Sequence, residues 1–398
     1  MTKRIGNIYH KIYDIKTINY ADNKARLHKK QRWGIIKHDK NRYKENLELS
    51  NIIKEHKYHT SEYTTFKIYE PKERIIYRLP YYPDRIAQHA IMATLVPIWN
   101  KIFIEQTYSC IEGRGIHKCA KDVKKALQNK EETKYCLKLD IKKFYPSINH
   151  EILKTIIRRK IKDKEVLYIL DEIIDSTNGV PIGNYLSQYF ANLYLAYFDH
   201  YCKEVLKCKY YFRYADDIVI LSSNKEFLHS IIYKIQKYLD TNLKLQVKSN
   251  WQVFPVDSRG IDFVGYVFYH THTLLRKSIK QKISYLLLRY QRNEINLDIL
   301  YQKMSSYFGW LKYCNSKQYL YKIEFISGIN FSNWDVTKTY VKNVYLSKVV
   351  HIEPHTKYFK VYIVYDGISY YIISRNKKLI DKLYDRARRI TSNAWCYY

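Results

Sequence analysis

No run of about 18 apolar residues occurs anywhere in the chain, so no segment is suited to span a bilayer as a helix. The opening stretch, MTKRIGNIYHKIYDIK, lacks the apolar centre of a signal peptide, and a cytoplasmic protein is expected. Seven cysteines, at 110, 119, 136, 202, 208, 314 and 396, never fall into a Cys-x-x-Cys spacing. An odd, scattered set argues against both a zinc site and a disulfide framework and leaves mostly buried thiols. No internal repeat and no long low-complexity linker interrupts the chain. Acid is in short supply: 38 Asp and Glu stand against 69 Lys and Arg, a net charge of +31. That excess points to a polyanionic partner, above all a phosphate backbone, with an anionic membrane surface as the competitor. Tyrosine is abundant, at 43 of 398 residues. Most tyrosines are expected to pack and some to stack on bases. The length allows two or three domains.

The chain is organised around Tyr214-Ala215-Asp216-Asp217, which lies between two β-forming runs, Tyr210–Tyr214 and Ile218–Leu221. A hairpin would carry both carboxylates at its tip, where they repel each other unless a cation lies between them. Oxygen ligands of this kind suit magnesium, which takes one or two carboxylates plus substrate phosphates. Upstream, Tyr135–Leu139 reads as a strand that Asp140 ends. A strand-end carboxylate beside a hairpin-tip pair is a layout for two metal ions about 3.5–4 Å apart, one on the attacking and one on the leaving oxygen of a phosphoryl transfer. The alternative for Asp140 is a helix cap.

Asp140-x-x-x-Phe144-Tyr145, then Gly183-x-x-x-Ser187-Gln188, then Tyr214-Ala215-Asp216-Asp217, in this order, resembles the palm of a reverse transcriptase. The resemblance extends from about residue 6 to residue 320. Within the family it is most similar to the enzymes of diversity-generating retroelements, in the lineage of group II intron-like bacterial reverse transcriptases. It implies an α+β, right-hand polymerase. A basic helical extension (1–60) would precede fingers (61–130), palm (131–270) and thumb (271–325), and a small α+β appendage (326–398) would follow.

Residues 1–60 hold 15 Lys or Arg against 6 Asp or Glu. Clusters such as Lys24-Ala25-Arg26 and Lys29-Lys30-Gln31-Arg32 are expected to spread charge along helices, for RNA, for a protein partner or simply for solvent. Thr65–Tyr69 alternates like a strand, and Pro71–Arg78 continues as a basic turn and a second strand, similar to a fingers hairpin. There Lys72 and Arg74 would meet the triphosphate and the template. Asp84–Ala90 is expected to open a helix in which His89 is structural. Gly113-Arg114-Gly115 resembles the second fingers motif, with Arg114 toward template or phosphate.

By the same resemblance, Tyr145 lies under the sugar of the incoming nucleotide and excludes a 2′-hydroxyl. Pro146 breaks the preceding strand, and Asn149 caps the next helix. Gly183 lets the backbone pass close to nucleotide or template. Ile182, with Ser187-Gln188, stands where many relatives carry a glutamine before the glycine and Ser-Pro after it, so less polar readout checks the base pair. Lys248 matches a lysine that protonates the leaving pyrophosphate. Gly260–Tyr266 reads as a β-turn unit resembling a primer grip, and Ser305–Lys312 recurs in the same branch. The thumb, with nine Lys or Arg against two acids over 271–320, would track a duplex by shape. Asp366-Gly367 between two β-rich runs signals a hairpin, and a basic helix is expected over 377–390.

The expected metal positions are therefore Asp140, Ile141, Asp216 and Asp217, with two Mg²⁺ ions. Asp140, Asp216, Asp217 and Lys248 are the catalytic set. Lys72, Arg74, Arg114, Tyr145, Ile182, Gly183 and Gln188 are the substrate-binding set. The resemblance implies a structured template RNA, a cDNA/RNA duplex, dNTPs and a small basic accessory protein oligomer as partners, and mutagenic copying of template adenines. A phage-defence reverse transcriptase of the abortive-infection type and an RNA-binding maturase-like protein are the rivals. No nuclease signature accompanies the motifs.

Overall fold

The computed structural model describes residues 4–69, 73–320 and 323, except the side chains of 297 and 298, together with the backbones of three strands between 348 and 374. The chain divides into two compact units, 1–264 with 268–270, and 265–267 with 271–398.

After a single helical turn, His10–Tyr13, the first unit continues with helices α1 (Ile15–Ala25), α2 (Trp33–Asp39) and α3 (Arg42–Lys54). The Asp14 side chain caps α1 by accepting from the Lys16 amide at 2.9 Å. The charge clusters are not all displayed on helices as expected. Arg26 is buried, and its guanidinium is spent on Asp22 and Asp39. Lys29-Lys30-Gln31-Arg32 lies in the loop between α1 and α2, because the α1 helix ends at Ala25. Asp22 is fully buried and takes bonds from Arg26, Arg42 and Tyr81. Burial raises its carboxyl, but hydrogen bonds from His38, Tyr81, Arg26 and Arg42 prevail and hold it well below the usual carboxylate range. This buried network ties the N-terminal helices to Tyr81.

Strands β1 (Thr64–Ile68) and β2 (Arg74–Arg78) form an antiparallel hairpin, with Thr64 opposite Arg78 and Ile68 opposite Arg74. The alternation read in 65–69 does not mark an inner face, since Thr64 through Lys67 are all exposed. Helix α4 (Ile86–Trp99) starts two residues later than expected. Asp84 is not its exposed opening residue: it is buried and accepts from the Tyr58 hydroxyl at 2.9 Å and the Ser61 amide at 3.1 Å. Helix α5 (Ile116–Leu127) follows.

Strands β3 (Tyr135–Asp140), β4 (Tyr210–Tyr214), β5 (Asp217–Ser222) and β6 (Gln252–Pro255) make one antiparallel sheet in the order β4-β5-β3-β6. Leu137, Leu139, Ile218 and Ile220 join its core, packed with residues of α6 (His150–Arg158), α7 (Lys164–Asp175), α8 (Tyr185–His200) and α9 (Lys225–Leu243). Asn149 caps α6 as expected, accepting from the Ile152 amide at 3.1 Å. Pro146 does not break the strand. β3 has already ended at Asp140, and Pro146 sits inside a single 3₁₀ turn, Tyr145–Ser147. Strand β7 (Ile261–Phe263) completes this unit's strands.

In the second unit, short strands β8 (Tyr266–Phe268) and β9 (Thr273–Leu275) precede helices α10 (Lys277–Gln291) and α11 (Leu297–Leu311). The Asn296 side chain caps α11 through the Ile299 amide at 2.9 Å. Two motifs read separately in the sequence meet here. The Trp310 ring packs against Gly265 and lies 5.4 Å from the Tyr266 ring, and the Tyr266 hydroxyl donates to the Trp310 carbonyl at 3.1 Å. A Cβ on Gly265 would meet the indole at 2.2 Å, which is why the position is glycine. Farther on, β10 (Lys348–Pro354), β11 (Phe359–Tyr365) and β12 (Ile368–Ser374) form an antiparallel sheet. Tyr365 pairs with Ile368, the register of a two-residue connection. Asp366-Gly367 itself and the helix expected over 377–390 lie outside the described residues.

Candidate active site

The register of β3 on β5 sets Asp140 opposite Asp217, and the register of β4 on β5 sets Tyr214 opposite Asp217. Only Ala215 and Asp216 remain to make the turn. Ala215 takes φ +54°, a left-handed conformation that a tight two-residue hairpin demands. Asp216 is thus at the tip and Asp217 is the first residue of β5, one position earlier than the sequence run suggested. The Ile141 amide donates to the Asp216 carbonyl at 3.3 Å and locks the tip to the end of β3. Ile141 is buried and its side chain carries no donor atom, so only its backbone carbonyl could serve an ion.

Residues 246–248 run along the other side of this strand end. The Lys142 amide donates to the Gln246 carbonyl at 2.8 Å, and the Lys248 amide donates to the Asp140 carbonyl at 2.9 Å. This brings the Lys248 ammonium onto the Asp140 carboxylate as an ion pair. The other Asp140 oxygen, Oδ1, is buried and accepts no hydrogen bond among the described residues. Burial and then the charge of Asp140 push the Asp216 carboxyl up to about 6. Desolvated carboxylates with an unsatisfied oxygen call for a cation. Among the described residues no three His, Cys, Asp or Glu side chains converge as a ready-made cage. Magnesium does not require one, because it keeps waters and takes substrate phosphates. The residues present therefore fit a divalent ion bound together with a phosphate substrate.

Tyr145 sits nearby in its 3₁₀ turn. Burial, then Cys110 and Asp216, raise its hydroxyl, while Arg213 and Arg74 oppose the rise, so its ring is within electrostatic reach of Asp216 and Arg74. Its carbonyl accepts the Val180 amide at 3.0 Å. Gly179, at φ +66°, is pressed against the same turn: a Cβ there would meet the Pro146 and Tyr145 carbonyl oxygens at 2.7 and 2.8 Å. Gly183 was expected to bring the backbone close to nucleotide or template. In the structure the glycine is exposed, and the space that its missing side chain leaves is taken up by protein. The Tyr77 amide donates to the Ile182 carbonyl at 2.8 Å, and a Cβ on Gly183 would lie 2.4 Å from the Tyr77 carbonyl. Strand β2 docks on this loop, and that docking requires the glycine. Ile182 is half-buried, Gln188 is exposed on α8 and Arg74 is exposed on β2. Lys72 lies outside the described residues. Arg114 is half-buried, and its Nη1 donates to the carbonyls of Ile104 and of Thr107 (3.0 Å). Its guanidinium braces the 104–107 loop.

The sequence reading missed the group beneath the hairpin. Arg213, fully buried in β4, donates Nε to Asp199 Oδ1 at 2.7 Å and Nη2 to Asp199 Oδ2 at 2.6 Å. Its Nη1 reaches the Ala215 carbonyl at 3.0 Å and Asn192 Oδ1 at 3.1 Å. Asp199, also fully buried, is completed by the hydroxyls of Tyr211 at 2.6 Å and Thr107 at 2.9 Å. A buried pair with both partners saturated is the condition under which burial of charge is tolerable. One end of that pair holds the left-handed residue before Asp216. The signal was present in the sequence: an arginine inside the apolar strand KYYFRY and an aspartate inside the apolar helix AYFDHY, each unexplained unless it meets the other.

The family described as Reverse transcriptase (RNA-dependent DNA polymerase) matches residues 70–268, half of the chain. The chain is 25% identical over 259 residues to Protein YkfC of Escherichia coli strain K12, covering 53% of this chain and 66% of that protein. It is 26% identical over 243 residues to the Retron Ec73 reverse transcriptase of Escherichia coli, covering 55% of this chain and 75% of that one. Among solved structures, apo telomerase from Candida tropicalis aligns with a TM-score of 0.43 at 14% identity, over 68% of this chain and 62% of that one. The match thus takes in just under two thirds of YkfC and of the telomerase chain. With the Asp140 and Tyr214–Asp217 motifs on an antiparallel sheet and the three aspartates brought to one end of it, the chain belongs to the reverse transcriptase (RNA-dependent DNA polymerase) family and has its right-hand polymerase fold of mixed helix and sheet.

Proposed function

We propose that the chain is an RNA-directed DNA polymerase whose active site is the end of the β3-β5 pair. The observation that carries this reading is the Asp140–Asp217 register, with Asp216 at the adjoining turn. Asp140, Asp216 and Asp217 are the residues that would hold two magnesium ions, which when bound activate the primer 3′-hydroxyl and stabilise the departing pyrophosphate. Lys248, tethered to Asp140, stands ready to give its proton to the pyrophosphate and to offset its charge. Arg74, and by resemblance Lys72, supply cations to the triphosphate from the β1-β2 hairpin, and Arg114 steadies the 104–107 loop that runs along β4. Template RNA and the growing duplex are held chiefly by charge, in keeping with the +31 excess.

Tyr145 is the sugar gate in this reading. Tyr145→Ala is expected to raise ribonucleotide use by at least about tenfold, a loss of roughly 1.4 kcal/mol of discrimination. Primer extension with competing dNTP and rNTP measures it, and unchanged discrimination would assign the gate to another residue.

The branch we propose is that of the diversity-generating retroelements, copying a template-repeat RNA in company with a small basic accessory oligomer. Its support is the sequence pattern Ile182-Gly183 with Ser187-Gln188, which sets an apolar side chain where a polar one would read the base. Loss of one contact worth about 1 kcal/mol loosens selection several-fold without halting synthesis. Sequencing of cDNA made on an adenine-rich RNA, with the accessory partner supplied, should show errors concentrated opposite adenine, and Ile182→Gln should reduce them. Uniformly low error on all four template bases would leave a reverse transcriptase of another branch, such as the phage-defence type.

A further inference from the structure

One peptide unit holds the turn that carries Tyr145, and it is gripped at both ends. Its N–H, from Val180, donates to the Tyr145 carbonyl at 3.0 Å. Its C=O, from Gly179, accepts from His150 Nε2 at 2.8 Å. A trans peptide is planar, so its N–H and C=O point in opposite directions and can only turn together. The bond from His150 therefore aims the Val180 amide at the Tyr145 carbonyl.

The backbone does not set this peptide plane unaided. Gly179, at φ +66°, has no side chain to restrict its rotation. None would fit, since a Cβ would lie 2.7 Å from the Pro146 carbonyl oxygen and 2.8 Å from that of Tyr145. The position thus requires the residue with the greatest conformational freedom, and a contact from outside has to remove that freedom. A carbonyl oxygen only accepts, so Nε2 of His150 carries the proton at this contact.

His150 is held in turn. Its Nδ1 lies 3.2 Å from Oδ1 of Asp175, the last residue of α7, and Asp175 Oδ2 accepts from the Lys154 ammonium at 2.8 Å. His150 and Lys154 stand four residues apart on α6, so one face of that helix grips the carboxylate twice. Helix preference does not account for the histidine. It is the first residue of α6, where the helix dipole favours an acid. Its side chain is 22% exposed, and both ring nitrogens are directed at the 175–179 segment.

We propose that His150 is a positioning residue for sugar selection, fixing the Tyr145 turn through the Gly179–Val180 peptide so that the ring cannot yield to a 2′-hydroxyl. Steric exclusion is only as strict as the backing of the excluding group. The proposal rests on the reading of Tyr145 as the sugar gate.

The test is primer extension on an RNA template with competing dNTP and rNTP. The variants are His150→Leu, which removes the donor, and His150→Gln, which keeps an amide N–H of similar reach. Asp175→Ala changes a half-exposed carboxylate and frees the His150 ring without removing its donor. Relative ribonucleotide use should rise about fivefold in His150→Leu, the scale of one lost hydrogen bond, and about twofold in Asp175→Ala. His150→Gln should stay closer to wild type than either. Added to Tyr145→Ala, His150→Leu should change sugar choice by less than about twofold, because the ring it positions is gone. A role in stability alone would slow extension with both sugars alike. If Tyr145→Ala relaxes sugar choice while Asp175→Ala and any folded His150→Leu choose as wild type does, the proposal is overturned and the gate stands. A full fivefold rise on top of Tyr145→Ala also overturns it, since His150 would then act independently of the ring. Unchanged choice in Tyr145→Ala itself removes the gate, and the proposal with it.

Discussion

Asp140→Asn and Asp216→Asn are each expected to lower primer extension by at least about a thousandfold while leaving RNA affinity nearly unchanged. The reason is a division of labour by charge. The aspartates sit at the end of β3 and at the β4-β5 turn, where they can hold cations but repel a phosphate backbone. RNA affinity comes instead from the excess of Lys and Arg over the rest of the chain. Asparagine keeps the size and one oxygen of each side chain but loses its charge. At Asp140 the change also strands the Lys248 ammonium, now paired with that carboxylate. Extension rates with magnesium, measured beside RNA binding at one salt concentration, separate the two effects. A variant that extends at near wild-type rate would remove that aspartate from the metal set, and one that loses RNA binding in parallel would show a folding defect rather than a chemical one.

The second large effect is expected below the hairpin. Arg213→Met leaves Asp199 charged and buried with its main partner gone, and should cost about 3–5 kcal/mol of stability. Arg213→Met combined with Asp199→Leu removes both charges and should recover a good part of that loss. Arg213→Lys separates folding from positioning. It keeps the charge but cannot hold Asp199 with two parallel bonds and also reach the Ala215 carbonyl. The turn that carries Asp216 would be less firmly set, so the magnesium concentration for half-maximal extension should rise several-fold, with RNA affinity unchanged. Denaturant titrations read the first effect and magnesium titrations the second. If Arg213→Lys shifts stability but not the magnesium midpoint, the pair supports the core alone.

The local elements around the site were legible because each has a signal in its own residues. Tyr210–Tyr214 and the run after Asp217 are β-formers on either side of two polar positions. Asn149 stands directly before an apolar periodicity and caps it. Two later strands flank an Asp-Gly pair in the register that such a pair permits. What the reading missed was decided by partners distant in sequence. Gly183 has a structural requirement of its own, because Tyr77, more than a hundred residues away, fills the space of its missing side chain. Arg26 looks like surface charge until the buried Asp22 claims it. Arg114 gives its Nη1 to two backbone carbonyls, a bracing contact that the sequence does not announce.

Taken alone, the sequence determined the order of the motifs, the strand-ending Asp140, the hairpin with its aspartate pair and the strongly basic character, because pattern, turn chemistry and net charge are properties of neighbouring residues or of simple sums. Tertiary structure alone decided that Asp140 faces Asp217, that Lys248 lies on Asp140, and that Arg213 and Asp199 support the turn. Charges so far apart in the chain interact only once folding removes the water between them, and no local pattern records which partner each will meet.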